Sequence, residues 1–219
     1  SRSKNALAAG IKNILAIALI IPAFYLFGWW IYNAFPNGFV PIEAAAALPW
    51  AASMGPDVQD MGTGIFWAAF ALFGATTGSI LSGAVIERIR VSAFLILTIF
   101  LGGVVWIMAG AWGWHPDGWL LTEFGYHDVG ASGVVHAVAG FFTLGVLMNL
   151  GARKGKFIDG VPQIISPHSL PMTLIGLMMI IFGFFGFLGG CIIFNGGETG
   201  WTTIYGTPTN LSAFAFNTL

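Results

Sequence analysis

The sequence predicts an all-α membrane protein: a polytopic bundle in which five helices thread back and forth through a bilayer. Three observations carry this. The 219 residues are 57% hydrophobic and only 8% charged, with a mean hydropathy of +0.83, whereas a soluble domain is about 25% charged. Five apolar runs, roughly 14–35, 64–86, 91–112, 130–150 and 172–194, punctuate the chain. Each is close to the ~20 residues that a helix needs to cross the hydrocarbon layer. The eight Lys and Arg residues fall only in alternate connecting segments, the positive-inside pattern.

Taken in order, the first span, 14–35, follows Arg2, Lys4 and Lys12. The segment 36–63 has no Lys or Arg, is rich in Pro and Ala, and is expected to hold a short interfacial helix around 43–52. The second span, 64–86, carries Gly74, Gly78 and Ser82 at every fourth position and a helical stripe of Phe66, Phe70 and Phe73. Small residues at that spacing let helix backbones approach closely. Glu87-Arg88-Ile89-Arg90 is so short a turn that the second and third spans must be antiparallel neighbours. The third span, 91–112, ends at Trp112 and Trp114, and 113–129 again has no basic residue. The fourth, 130–150, opens at Asp128 and precedes Arg153, Lys154 and Lys156; the fifth, 172–194, carries Gly183, Gly186 and Gly189. The partition places the N-terminus in the cytoplasm and residue 219 outside. Seven of the nine acids, Glu43, Asp57, Asp60, Asp117, Glu123, Asp128 and Glu198, fall on the outer side, and Glu87 and Asp159 inside. An acidic outer face attracts cations.

Composition also excludes classes. Strands alternating lipid-facing and polar residues are missing, which excludes a β-barrel. A net charge of −1 without a basic stripe excludes nucleic acid as a partner. Cys191 is the single cysteine, so no intramolecular disulfide is expected. The basic start is not followed by a signal-peptide pattern, and the first residue, Ser1, suggests that something precedes it. No linker or low-complexity stretch interrupts the chain, so residues 1–219 read as one membrane domain. Five spans cannot hold a complete pair of inverted repeats of that length. No metal-ligand cluster or nucleophile–base pair stands at helical spacing, so neither an enzyme nor a cofactor is expected.

Two ionisable residues lie at membrane depth, where charge is expensive and usually faces a cavity or the bundle interior. Asp128 is placed to cap the fourth span. His136, eight residues on, would share roughly its face of a continuous helix about 12 Å deeper, and is expected to line an internal, largely apolar cavity. A hydrogen-bonded histidine fixing helix packing is the blander account. The tryptophans suit interfacial anchors and the phenylalanines lipid or core filler; beside an acidic outer face they could instead cage a cation by its attraction to ring faces.

Gly83-Ala84-Val85-Ile86-Glu87-Arg88 and Asp128-Val129-Gly130-Ala131-Ser132-Gly133-Val134-Val135-His136 resemble the "GAxxER" turn and the "DFAGSxVVH" run of the ammonium transporter (Amt/Mep/Rh) family. Gly151-Ala152-Arg153-Lys154-Gly155 resembles "LGxRxG", Pro167-His168-Ser169-Leu170-Pro171 "PHNLP", and Gly183-Phe184-Phe185-Gly186-Phe187-Leu188-Gly189-Gly190 "GWFGFNxG". Order, spacing and orientation agree over nearly the whole chain.

The resemblance implies an eleven-helix protomer, assembled as a homotrimer or with further membrane chains in a cell membrane (the inner membrane in a bacterium). Each protomer would have its own narrow apolar pore for ammonium/ammonia. The chain matches helices two to six, with 212–219 similar to the approach to helix seven. By position, Phe73 and Trp114 correspond to the outer vestibule, with Cys191 at a polar position of the cation site and Asp128 below it. His136 corresponds to the first of two pore histidines, and Phe187 to a gate phenylalanine. The second histidine belongs to helix ten, which the chain does not cover. Cys191 replaces a serine, Leu188 an asparagine, Phe184 a tryptophan, Ala69 a second gate phenylalanine and Val129 the phenylalanine of "DFAG". Ammonium transport is therefore the first expectation. A non-transporting relative, either an ammonium-sensing domain or a structural transmembrane subunit, is the second.

Overall fold

Runs with no charged side chain to hydrate must satisfy their backbone internally, and helices do so within one segment. A computed structural model describes residues 1–42 and 61–192, without the side chains of 61–63 and 190–192. The helix expected around 43–52 and the last residues of the chain lie outside the described residues. The helices are α1 (Ser3–Ala34), α2 (Met61–Ala84), α3 (Val91–Trp114), the short α4 (Trp119–Phe124), α5 (Ser132–Leu150) and α6 (Leu170–Ile192). Among the described residues, all of these but α4 are long and apolar enough to cross a membrane. A small hairpin, β1 (Phe157–Ile158) against β2 (Val161–Pro162), pairs Ile158 with Val161. The all-α fold is as expected from the hydropathy.

The first helix departs from expectation by starting at Ser3, not near residue 14. Lys12 had marked the end of a hydrated segment, but it lies inside α1, 8% exposed. Its long stem runs along apolar surface and its Nζ donates to the Ile89 carbonyl at 3.0 Å. A lysine can so reach the next turn while its backbone stays helical.

The chain forms two compact units, Ser1–His127 with Gly133–Ser166, and Asp128–Ser132 with the segment from Pro167 onward. In the first, α1 packs against both α2 and α3, over a core of Ala16, Ile20, Leu81, Val85, Phe94 and Leu101. Ile20 is its keystone. A Cβ on Gly78 would meet Ile20 Cδ1 at 2.3 Å, one on Gly102 would meet Cγ1 at 2.7 Å, and one on Gly74 would meet Cγ2 at 3.0 Å. The glycines of α2 and α3 thus form the hole that a branched side chain of α1 fills, with no lipid between the backbones.

One end of this unit gathers the basic segments. The Arg2 amide and its Nε (2.8 Å) donate to the Glu87 carboxylate. Arg2 also reaches the Lys154 carbonyl at 3.2 Å, and Arg88 the Gly151 carbonyl at 2.9 Å. Burial pushes the Glu87 carboxyl up, but the combined bonds from Arg2 and Asn5, with the charge of Arg2, hold it below its ordinary value. At the other end of α1 the chain turns back against α3 and α4: Trp119 N–H donates to the Pro36 carbonyl at 3.1 Å, and the Phe39 and Trp112 rings meet at 5.2 Å. Helix α4 stops at Gly125, whose φ of +62° is left-handed, and Tyr126 N–H closes back on the Leu120 carbonyl, the arrangement glycine favours after a helix.

In the second unit, Ser169 begins α6, accepting the Met172 amide at 3.4 Å, and Pro171 stands in the first turn, where a missing N–H is harmless. The helix is apolar on all sides and exposed along most of its length up to Gly186, a surface suited to lipid.

Two tests follow from these contacts. Gly78→Ala should destabilise the protein by about 1–3 kcal/mol through overpacking, and Ile20→Val in the same chain should recover part of that loss. Gly145→Ala, where a Cβ meets nothing within 4 Å, should be close to neutral. Thermal unfolding in detergent reads all three. Because the folded Glu87 binds its proton more weakly than the unfolded one, its contribution is complete above the ordinary value of 4.5. It fades as pH falls from there through the lower folded value. Melting curves from pH 7 to pH 3 should show an acid-dependent loss in the native protein that Glu87→Gln lacks.

Candidate functional site

The stripe of phenylalanines on α2 and the aromatic end of α3 converge. Phe70, Phe73, Trp106 and Trp114 form one cluster. Phe73 lies 5.0 Å from Trp114 between ring centroids, Phe70 lies 5.7 Å from Trp114 in a stacked arrangement, and Trp106 lies 6.2 Å from both phenylalanines. Phe70 is buried and Trp106 completely so, whereas Phe73 and Trp114 are half-buried. The cluster therefore has a closed floor and an open rim. The rim rings touch each other at 55°, which leaves no room for an ion between them.

Trp106 is placed by an irregularity that periodicity does not reveal. Residues Leu101–Val105 form a π-turn, and the Trp106 amide donates to the Leu101 carbonyl, five residues back. That amide would ordinarily bond the Gly102 carbonyl. The Trp106 indole Nε1 donates there instead, at 2.6 Å. Opposite it, Phe24–Gly28 of α1 is also a π-turn, soon after Pro22, whose missing N–H and bulky ring disrupt a regular helix. Phe24 stacks on Trp106 with centroids 6.3 Å apart. Such turns often occur at functional sites.

Tyr32 and His115 extend the cluster, and the sequence reading had not singled them out. Tyr32 lies 4.8 Å from Phe70 and 5.2 Å from His115. His115 Nδ1 accepts the Asp117 amide at 3.1 Å, which fixes the proton of the neutral ring on Nε2. Burial lowers the His115 pKa, and the nearby Asp117 charge opposes this without reversing it. Their signal was faint: a Tyr and a His at helix ends beside Trp114 are common anchors.

Asp128 is buried, at 6% exposure. Its Oδ1 accepts the Ser132 amide at 2.8 Å and the Ser132 hydroxyl at 3.3 Å, so it satisfies one free amide at the start of α5 from four residues upstream rather than from the N-cap position. Between them Ala131 is left-handed, with φ +58°, and fully buried, a conformation that costs a non-glycine residue about 1–2 kcal/mol. The helix begins at Ser132, so the face shared by Asp128 and His136 does not follow: that arithmetic assumed continuous α-helix, and Asp128 precedes it. His136 is half-buried on the π-turn Ser132–Ala137 that opens α5.

In the second unit, Phe187 is half-buried and packs edge-on against Phe184 at 5.6 Å. Leu188, at the position expected for an asparagine, lies 3.3 Å from where a Cβ on Gly130 would stand. Cys191 belongs to α6, and its side chain lies outside the described residues. Phe73 and Trp114 are thus brought together within the first unit, which also holds His136, while Asp128, Phe187 and Cys191 belong to the second.

Comparison with known proteins decides the family. The model of the Ammonium Transporter Family matches residues 1–217. The chain belongs to the ammonium transporter family. It is 31% identical to ammonium transporter Amt2 of Archaeoglobus fulgidus, over 98% of this chain and 46% of the relative. It is 34% identical to ammonium transporter Amt2 of Methanocaldococcus jannaschii, over 61% of this chain and 31% of the relative. It is 30% identical to ammonium transporter 1 member 4 of Arabidopsis thaliana, over 94% of this chain and 42% of the relative. The chain thus spans less than half the length of these relatives. No solved structure matches it. The family is one of transporters, not of enzymes.

The hydrogen bonds of Asp128 separate its structural part from any charge-dependent one. Asp128→Ala should lose about 1.5–3 kcal/mol of stability, the usual worth of a hydrogen bond to a charged group. Asp128→Asn, which keeps an acceptor oxygen, should lose less. Unfolding midpoints of the two variants in detergent measure the difference.

Proposed function

We propose that this protein carries ammonium across a cell membrane, as a multi-pass protein and in a homotrimer of protomers that each have their own pore. The observation that carries this reading is the convergence of Phe73 and Trp114 at 5.0 Å on a rim that is half open above a closed aromatic floor. Ring faces attract a cation, each contributing about 0.5–2 kcal/mol. In this reading NH4+ is selected there from the outer side, and the family resemblance gives Cys191 and Asp128 a part in the same step. It then loses its proton, and neutral NH3 passes Phe187 and runs along His136, which lines an apolar cavity. The proton loss has a physical motive: a bare cation in hydrocarbon is very costly, and a neutral molecule escapes most of that cost.

The joining of residues 2, 87, 88, 151 and 154 at one end supports the proposed topology. In it these segments are cytoplasmic, while 36–63, 113–129 and 195–219 lie outside. Cysteine labelling that put positions 118 and 158 on one side would refute it.

A second reading, a non-transporting sensor or structural subunit, is favoured by Leu188 packed beside Gly130 and by the thiol of Cys191, a weaker acceptor than a hydroxyl. Uptake of labelled methylammonium into liposomes separates the two. The expected result is uptake by the native protein, altered by His136→Ala and raised by Cys191→Ser. Ammonium binding without uptake in any variant would leave the sensor. Neither binding nor uptake would leave the structural subunit and remove ammonium from the account.

A further inference from the structure

At the end of the first unit where the basic segments meet, Arg88, Arg153 and Lys156 line a cavity of about 280 Å³ with Ala152 and Ile165. No acid lines it. The Glu87 carboxylate is held by Arg2, and Asp159 sits in the turn of the small hairpin. The cations are also under-used. Arg88 spends one Nη1–H on the Gly151 carbonyl, while its Nε is buried without a hydrogen-bond partner among the described residues. Lys156 Nζ donates to the Gln163 carbonyl at 3.0 Å and retains two further hydrogens. The Arg153 guanidinium, half-buried, has neither hydrogen bond nor ion pair among the described residues. A buried donor left unmatched costs about 1–3 kcal/mol, and like charges around one cavity repel. An anion with several acceptor oxygens in the cavity would offset the repulsion and offer acceptors to the donors that reach it.

We infer that this cavity is a binding site for a phosphate group, carried either by an anionic membrane lipid or by a free phosphate. Guanidinium forks match tetrahedral phosphate oxygens with paired, charge-assisted bonds, and basic pockets at the ends of membrane helices suit lipid headgroups. The neighbouring hairpin and its exit expose Phe157, Val161 and Ile164, the last 94% exposed, an apolar rim that acyl chains could cover. The site is remote from the aromatic cluster in role and does not depend on what the protein transports.

The test uses full-length protein in detergent, titrated in parallel with phosphatidylglycerol, with phosphatidylcholine and with inorganic phosphate. Retained lipid is read by native mass spectrometry and the phosphate arm by melting-temperature shift. The expected result is saturable binding in the phosphatidylglycerol or the phosphate arm that exceeds phosphatidylcholine. Arg153→Gln should weaken it about tenfold or more, the loss of one charge-assisted contact, with the ligand-free melting temperature unchanged or raised, because among the described residues that side chain makes no hydrogen bond or ion pair and its charge only adds to the repulsion. Lys156→Gln gives a second reading if the first variant fails to fold. Response to the lipid alone assigns a headgroup, and response to inorganic phosphate alone assigns a free anion. Binding in neither arm, or equal binding by native protein and both variants, overturns the proposal.

Discussion

The insertion of Ile20 between the glycines of two neighbouring helices is the contact on which the rest of the first unit depends. Hydrocarbon offers no hydrophobic gain for joining helices, so association rests on packing. Gly74, Gly78 and Gly102 allow the backbones of α2 and α3 to come close to α1 because none has a side chain to hold them apart. That proximity sets Trp106 of α3 against Phe24 of α1 and against Phe70 and Phe73 of α2. The aromatic floor is therefore a by-product of helix packing, and the rim built on it inherits its rigidity.

Packing this close has a consequence for the backbone. Wide turns in α1 and α3 shift the carbonyl register by one residue, and a buried carbonyl in a membrane must find a donor. The Trp106 indole supplies it for Gly102. One side chain thus both repairs the helix and forms the floor of the cluster. Replacing it by a plain hydrocarbon ring would keep part of the floor and leave the Gly102 carbonyl without this donor. Asp128 works similarly at the entry of α5, where its carboxylate holds Ser132 while the chain passes through the left-handed Ala131.

Much of this was legible in the sequence. The five membrane-length helices, the short turn before α3, the small-residue packing stripe and the acceptor role of Asp128 at the start of α5 came from hydropathy, spacing and side-chain chemistry, whereas the short α4 was not expected. The pairing of Phe73 with Trp114 came from resemblance. What escaped was local. Lys12 read as a boundary because charge usually marks one, and only three-dimensional contact reveals that Ile89 offers its ammonium a carbonyl. The π-turns escaped because hydropathy does not register a one-residue change of register. Asp128 and His136 were given a common face for the same reason, since no pattern states where a helix begins after an Ala in a left-handed conformation.

The contact between Phe73 and Trp114 bears on how long an ion could stay. Rings that touch each other can embrace a guest from one side only. Two such faces contribute about 1–4 kcal/mol together, which corresponds to millimolar affinity or weaker. A site of that strength releases its guest quickly. For a conduction pathway, where entry must be favourable but escape must remain easy, brief residence is an advantage.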